Sequence, residues 1–106
     1  METITYNKLV RDKIPEIIEA DGKQCNIRVL SDDEYRNMID SKLGEELKEY
    51  LNDHSIEELA DLMEVVYAAT VANGYSIEEL EQVRKKKVEK RGAFDKKILL
   101  LDVIEP

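Results

Sequence analysis

The sequence predicts an all-α fold of about four helices, with at most a short two-stranded ribbon, and three observations carry that prediction. Ser31, Ser55 and Ser76 are each followed three residues on by a glutamate (Glu34, Glu58, Glu79), the pattern of a helix-opening capping box. Stop signals lie where helices opened there should end, at Asn73-Gly74 and at Gly92. The segment between Leu59 and Ala72 is almost wholly apolar and arranges its residues at helical spacing.

The elements follow in order. Asp12 can cap a short helix over Lys13 to Ala20, with Pro15 in its first turn and Gly22 just past its end. Asn26 to Leu30 alternates weakly and reads as a short strand. A second helix runs from the Ser31 box to about Leu51, with Gly44 inside it as a sign of close backbone approach. After the connector Asn52-Asp53-His54, a third helix extends from Ser55 to about Ala72. A fourth follows from Ser76 to about Arg91. The tail Ile98 to Ile104 is apolar and partly β-branched, so it reads as a strand that can pair with the first.

Size and composition set bounds. A chain of 106 residues suits one domain spanning 1–106, and its 42% hydrophobic content is too high for a disordered chain. So small a domain buries little, and a helix apolar on two sides needs a second subunit to cover it. No run approaches the ~20 apolar residues of a membrane span, and the N-terminus lacks the apolar region of a secretory signal. The single cysteine, Cys25, permits no internal disulfide, and a cytoplasmic location is the expectation.

Charge is segregated. Between Arg84 and Lys97, eight Lys or Arg meet only Glu89 and Asp95, a local +6 that leaves −14 on the remainder of a chain of net charge −8. This argues against a nucleic-acid polymer as partner. It suits a small anion held between a basic wall and a cation-loaded acidic one.

The acidic wall can be located. Helices joined by a tight connector run antiparallel and side by side. The second helix carries Glu45, Glu46 and Glu49, and the third carries Glu58 and Asp61. Glu46 and Glu49 share a face, as do Glu58 and Asp61, and both pairs lie near the joined ends. On the third helix Leu59, Met63, Val66, Tyr67 and Thr70 form one face. Asp61 heads a different stripe, with Val65, Ala68 and Ala72. Carboxylates gathered in a partly dry place are costly unless a hard cation neutralises them, and oxygen ligands on rigid helices suit Mg²⁺. Glu58 has a second explanation as the capping-box partner of Ser55, and Glu45 and Glu49 one as solvated surface charges beside Lys48. Asp61 has no capping role. Glu64 points away from Asp61's stripe and reads as surface, and His54 as a turn residue.

The run Glu45-Glu46-x-x-Glu49 followed by Glu58-x-x-Asp61 resembles the signature of the MazG-like all-α nucleoside triphosphate pyrophosphohydrolases. Gly44, the run Glu57 to Leu62 and Lys90-Arg91-Gly92-x-Phe94 are similar to that family too. Tyr6-Asn7-Lys8-Leu9-Val10-Arg11-Asp12-Lys13-Ile14-Pro15 looks like its subgroup of house-cleaning enzymes for noncanonical nucleotides. The resemblance implies a helical bundle completed by oligomerisation, as a homodimer or a dimer of dimers. It also implies Mg²⁺-dependent cleavage of a nucleoside triphosphate between the α- and β-phosphates, with Mn²⁺ as a substitute ion. Carried over by position, Glu46, Glu49, Glu58 and Asp61 are the implied metal ligands, with Glu45 orienting water.

Such a reaction rests on positioning and charge neutralisation rather than on a covalent nucleophile. Glu49 or Glu45 is the candidate to orient or deprotonate the attacking water. Lys8, Arg11, Lys13, Lys90 and Arg91 are candidates to bind the phosphates. Lys8, Arg11 and Lys13 can equally be ion-pair partners of the acidic helices. Tyr6, Tyr67 and Phe94 are candidates to line a base pocket, and Ala68, Ala69 and Ala72 to permit a close subunit contact. Two competing readings are a phosphoribosyl-ATP pyrophosphohydrolase-like enzyme and a non-enzymatic acidic helical interaction module.

Overall fold

The computed structural model describes residues 2–106. Four helices appear in chain order: α1 (Ile14–Ala20), α2 (Asp32–Asp53), α3 (Ile56–Ala72) and α4 (Ile77–Arg91). No strand occurs among the described residues.

The helix boundaries follow from local chemistry. The Ser31 hydroxyl accepts from the Glu34 amide while the Glu34 carboxylate accepts from the Ser31 amide, which closes a capping box at the start of α2. Asp32, Asp33 and Glu34 also place negative charge at the positive end of the helix dipole. α2 ends at His54, whose backbone is left-handed (φ 55°) and whose ring meets Tyr50 edge-on with centroids 5.0 Å apart. His54 is thus the turn residue expected of it. Gly74 (φ 89°) follows the end of α3, and Gly92 (φ 81°) that of α4.

Only His54 and Ser55 separate α2 from α3, so the two helices fold back on each other and pack side by side. α4 touches α3 lightly, and α1 packs against no other helix. The result is elongated, 70 × 31 × 22 Å, with a radius of gyration of 18.9 Å. A compact domain of this length would have roughly 13 Å. Ile39 alone is a buried apolar side chain among the described residues. The apolar stripes of α3 therefore remain partly open, with Leu59 and Met63 exposed.

Three local expectations are corrected. The ribbon does not form: Ile27 and Val29 are exposed, and the apolar residues from Ile98 to Ile104 are 69–92% exposed. A lone two-stranded ribbon is marginal in water, and neither segment has a packed surface to rest on. Asp12 does not cap α1. The cap position is Lys13 without a side-chain bond, and a backbone turn from the Ile14 amide to the Arg11 carbonyl (3.0 Å) starts the helix, with Pro15 in its first turn. Gly44 makes no close approach, because a side chain built there would meet nothing within 4 Å.

Candidate metal centre

The α2–α3 turn brings the acidic pairs together. From Glu46, Glu58 and Asp61 one carboxylate oxygen each converges, all within 4.8 Å of one another. Glu46 lies on α2, and Glu58 and Asp61 are one turn apart on α3, so the antiparallel packing of the hairpin makes the group.

The charges are costly as they stand. Glu46 is only 7% exposed, the one buried charged residue among those described. Lys42, one turn earlier, approaches its Oε1 at 3.4 Å, while its Oε2 is buried without a hydrogen-bond partner. Glu58 Oε2 is shielded and unpartnered in the same way, although the residue as a whole is only half-buried. Burial, then the neighbouring Glu49 charge, raises the Glu46 carboxyl above its ordinary value, and Lys42 offsets part of this. Burial also raises Glu58, with Glu49 and Asp61 adding to the effect. Orphaned, shielded carboxylate oxygens fit a hard cation, which takes oxygen ligands and cancels both desolvation and repulsion.

Glu58 shows that the capping explanation does not account for its carboxylate. The Ser55 hydroxyl accepts from the Glu58 amide at 3.2 Å, so the helix is capped. The return bond from the Ser55 amide to the Glu58 carboxylate, present at the starts of α2 and α4, is not made at the start of α3.

The other anticipated residues divide into groups. Glu49 is exposed and stands against Glu58, close enough to raise it, but outside the set of converging oxygens. Glu45 turns to lysines instead: Lys8 Nζ donates to its Oε1 at 3.1 Å and Lys42 Nζ lies at 3.6 Å. The Lys8 hydrogen bond lowers its carboxyl below the ordinary value. Arg11 donates to Asp61 Oδ1 at 2.6 Å. Lys8 and Arg11 thus realise the ion-pair alternative in this state. Lys13 is exposed at the cap of α1. Lys90 and Arg91 are exposed in the last turn of α4, and no ion pair among the described residues joins these three to the acidic group.

Lys42 was not singled out from sequence, although its spacing of three and four residues from Glu45 and Glu46 is the signal for such pairs. Glu64 is exposed, as expected. Tyr6 and Phe94 are largely exposed and Tyr67 half-buried, so these three do not form one pocket wall here. Ala68 and Ala72 line an open groove of about 420 Å³ with Asp32, Tyr35, Arg36 and Val71, and Ala69 lines a second hollow on the side of Leu43 and Tyr75.

No protein-family model matches this chain, and no solved structure matches it. A stretch of 42 residues is 57% identical to part of an uncharacterised protein of Mycolicibacterium smegmatis, covering 40% of this chain and 43% of that protein. The chain therefore matches less than half the length of this relative, a likeness confined to that stretch that carries no activity with it.

Proposed function

We propose that this chain hydrolyses nucleoside triphosphates to the monophosphate and pyrophosphate with Mg²⁺. The observation that carries this reading is the convergence of Glu46, Glu58 and Asp61, two of which have a shielded, unpartnered carboxylate oxygen, with Arg11 paired to Asp61 at the rim. The sequence resemblance described above names the reaction class.

Glu46, Glu58 and Asp61 would hold the ion, with Glu49 beside them. When bound, Mg²⁺ supplies charge neutralisation for phosphate oxygens and acidifies the attacking water. Glu45, kept anionic by Lys8, is suited to orient that water, and Glu49 is the other candidate base. Lys8 and Arg11 lie at the rim of the acidic group, where an ammonium and a planar guanidinium can grip phosphate oxygens. Lys13, Lys90 and Arg91 form a second, outlying set of positive partners. Water attacks a phosphorus flanking the α–β bridging oxygen, the bond from that phosphorus to the bridging oxygen breaks, and the products are the monophosphate and pyrophosphate.

The working unit in this reading is a homodimer or a dimer of dimers. Its support is the nearly absent core of the single chain and the open apolar faces of α3. A cytoplasmic setting belongs to the same reading. No helix among the described residues is long and apolar enough to cross a membrane.

The test is to incubate purified protein with Mg²⁺ and a panel of normal, methylated, oxidised and deaminated triphosphates, and to measure pyrophosphate. Pyrophosphate formation that Asp61→Asn abolishes, with helicity retained by circular dichroism, supports the reading. Release of orthophosphate alone would place the cleaved bond elsewhere, and no release from any triphosphate would remove the proposal.

A further inference from the structure

We infer that the N-terminal segment is a built-in counter-ion strap, so that a divalent cation entering the acidic group must displace Arg11 from Asp61. The inference rests on the metal-site reading above and adds a coupling to it.

Residues 2–12 form no helix or strand, and none of them is buried. Their ion pairs with the α2–α3 hairpin are Lys8 to Glu45 at 3.1 Å and Arg11 to Asp61 at 2.6 Å. Both acids belong to the same acidic end of the hairpin, and Asp61 supplies one of the three converging oxygens. Arg11 thus occupies charge that a metal would use, while Lys8 ties the same segment to the neighbouring Glu45. Glu46 adds an independent observation: its side chain is 9% exposed and turned into the acidic group, and its Oε2 has no partner although Lys42 is beside Oε1.

A guanidinium bound to Asp61 weakens that carboxylate as a donor and repels a dication a few ångströms away. The two cations are therefore antagonists at one carboxylate. Linkage makes the effect reciprocal: whatever strap docking costs the metal, metal binding costs the strap. Both pairs are exposed, so the strap is held weakly enough to exchange. Release would free the Lys8 ammonium and the Arg11 guanidinium beside the site, where an anionic ligand carrying the metal would meet them.

The test uses Mn²⁺ alone, followed by the electron paramagnetic resonance signal of the free ion, with the full chain, Arg11→Gln and Asp61→Asn. Arg11→Gln is expected to bind Mn²⁺ roughly two- to fivefold tighter than the unaltered chain, the range an exposed ion pair can impose. Asp61→Asn should bind more weakly than either. If the unaltered chain binds Mn²⁺ and Arg11→Gln binds it equally or less tightly, the exchange is overturned while the metal site stands. If neither chain binds Mn²⁺, the metal site itself is overturned and the exchange with it. Should Arg11→Gln lose its helicity, trypsin acting on the unaltered chain decides. Mn²⁺ is expected to speed cleavage after Lys8 and Lys13, and unchanged cleavage overturns the exchange.

Discussion

Helices α3 and α4 open with the same five residues, Ser55-Ile56-Glu57-Glu58-Leu59 and Ser76-Ile77-Glu78-Glu79-Leu80, and the two copies use their second glutamate differently. At α4 the Glu79 carboxylate accepts from the Ser76 amide at 3.3 Å and the capping box is complete. At α3 the serine still caps the helix, but the Glu58 carboxylate leaves the box and joins Glu46 and Asp61. Identical local sequence means identical local preference, so the difference arises from the surroundings. The start of α3 is pinned against α2 by a two-residue connector, whereas the start of α4 is largely free. Leaving a favourable bond for a shielded position without a partner costs stability, a cost that a cation would offset under the proposed function.

The largest expected effect breaks this comparison in turnover. Glu58→Gln should lower pyrophosphate formation by about a hundredfold or more, at least the loss seen when a metal's supporting groups are removed. Glu79→Gln should leave it unchanged. Steady-state assays of both variants with Mg²⁺ check this, and equal effects would return Glu58 to a plain capping role.

Next in size is a gain in stability without metal. Glu46→Gln removes a buried charge whose Oε2 has no partner, and should stabilise the fold in EDTA by about 1 kcal/mol. For a domain of this size that is a rise in melting temperature of roughly 4–8 °C, measured by thermal denaturation. The same substitution should reduce the stabilisation that added Mg²⁺ confers.

That gain should depend on pH in a direction set by the raised carboxyls. Glu46 and Glu58 titrate above their ordinary 4.5 in the folded chain. A raised acid favours folding while protonated, so its penalty is absent below about 4.5 and grows as pH rises from there through the raised folded value. The advantage of Glu46→Gln should thus be full at pH 7 and shrink towards zero at pH 4. Glu45 has the opposite sign, because Lys8 lowers it: its stabilisation is present above 4.5 and fades as pH falls through its lowered value. Melting curves of Glu46→Gln and Glu45→Gln against pH should therefore diverge from the unaltered chain in opposite senses.

The smallest effects test the caps. Ser55→Ala and Ser76→Ala should each cost about 1 kcal/mol, because both hydroxyls accept from the amide three residues on. Glu79→Gln should cost a fraction of that, and Glu58→Gln should cost nothing through capping. Urea unfolding of the four variants measures the differences.

Much of the helical frame was legible in advance because its causes lie within a few residues of each other. Ser31 with Glu34, and Ser76 with Glu79, form the boxes their spacing implies. Gly74 and Gly92 follow α3 and α4 in left-handed backbone that favours glycine. The acidic candidates were legible for a similar reason, since spacings of three on adjoining helices put Glu46, Glu58 and Asp61 on facing sides. The ribbon was misread because alternation and β-branching describe a strand's side chains but not its neighbour. With no partner edge, Ile98 to Ile104 stays without regular structure and exposed. Gly44 was misread likewise: the helix-weakening residue is visible in sequence, but what approaches it is not.

By itself, then, the order of residues determined where helices start, where they stop, and which carboxylates face a common side, because hydrogen bonds and helical periodicity act over one or two turns. Tertiary structure alone decided that Glu58 abandons its cap, that Glu49 stays at the edge, and that Lys8 and Arg11 settle on acids 37 and 50 residues away. Those choices are set by burial and Coulomb energy between groups that become neighbours only after α2 and α3 have folded against each other.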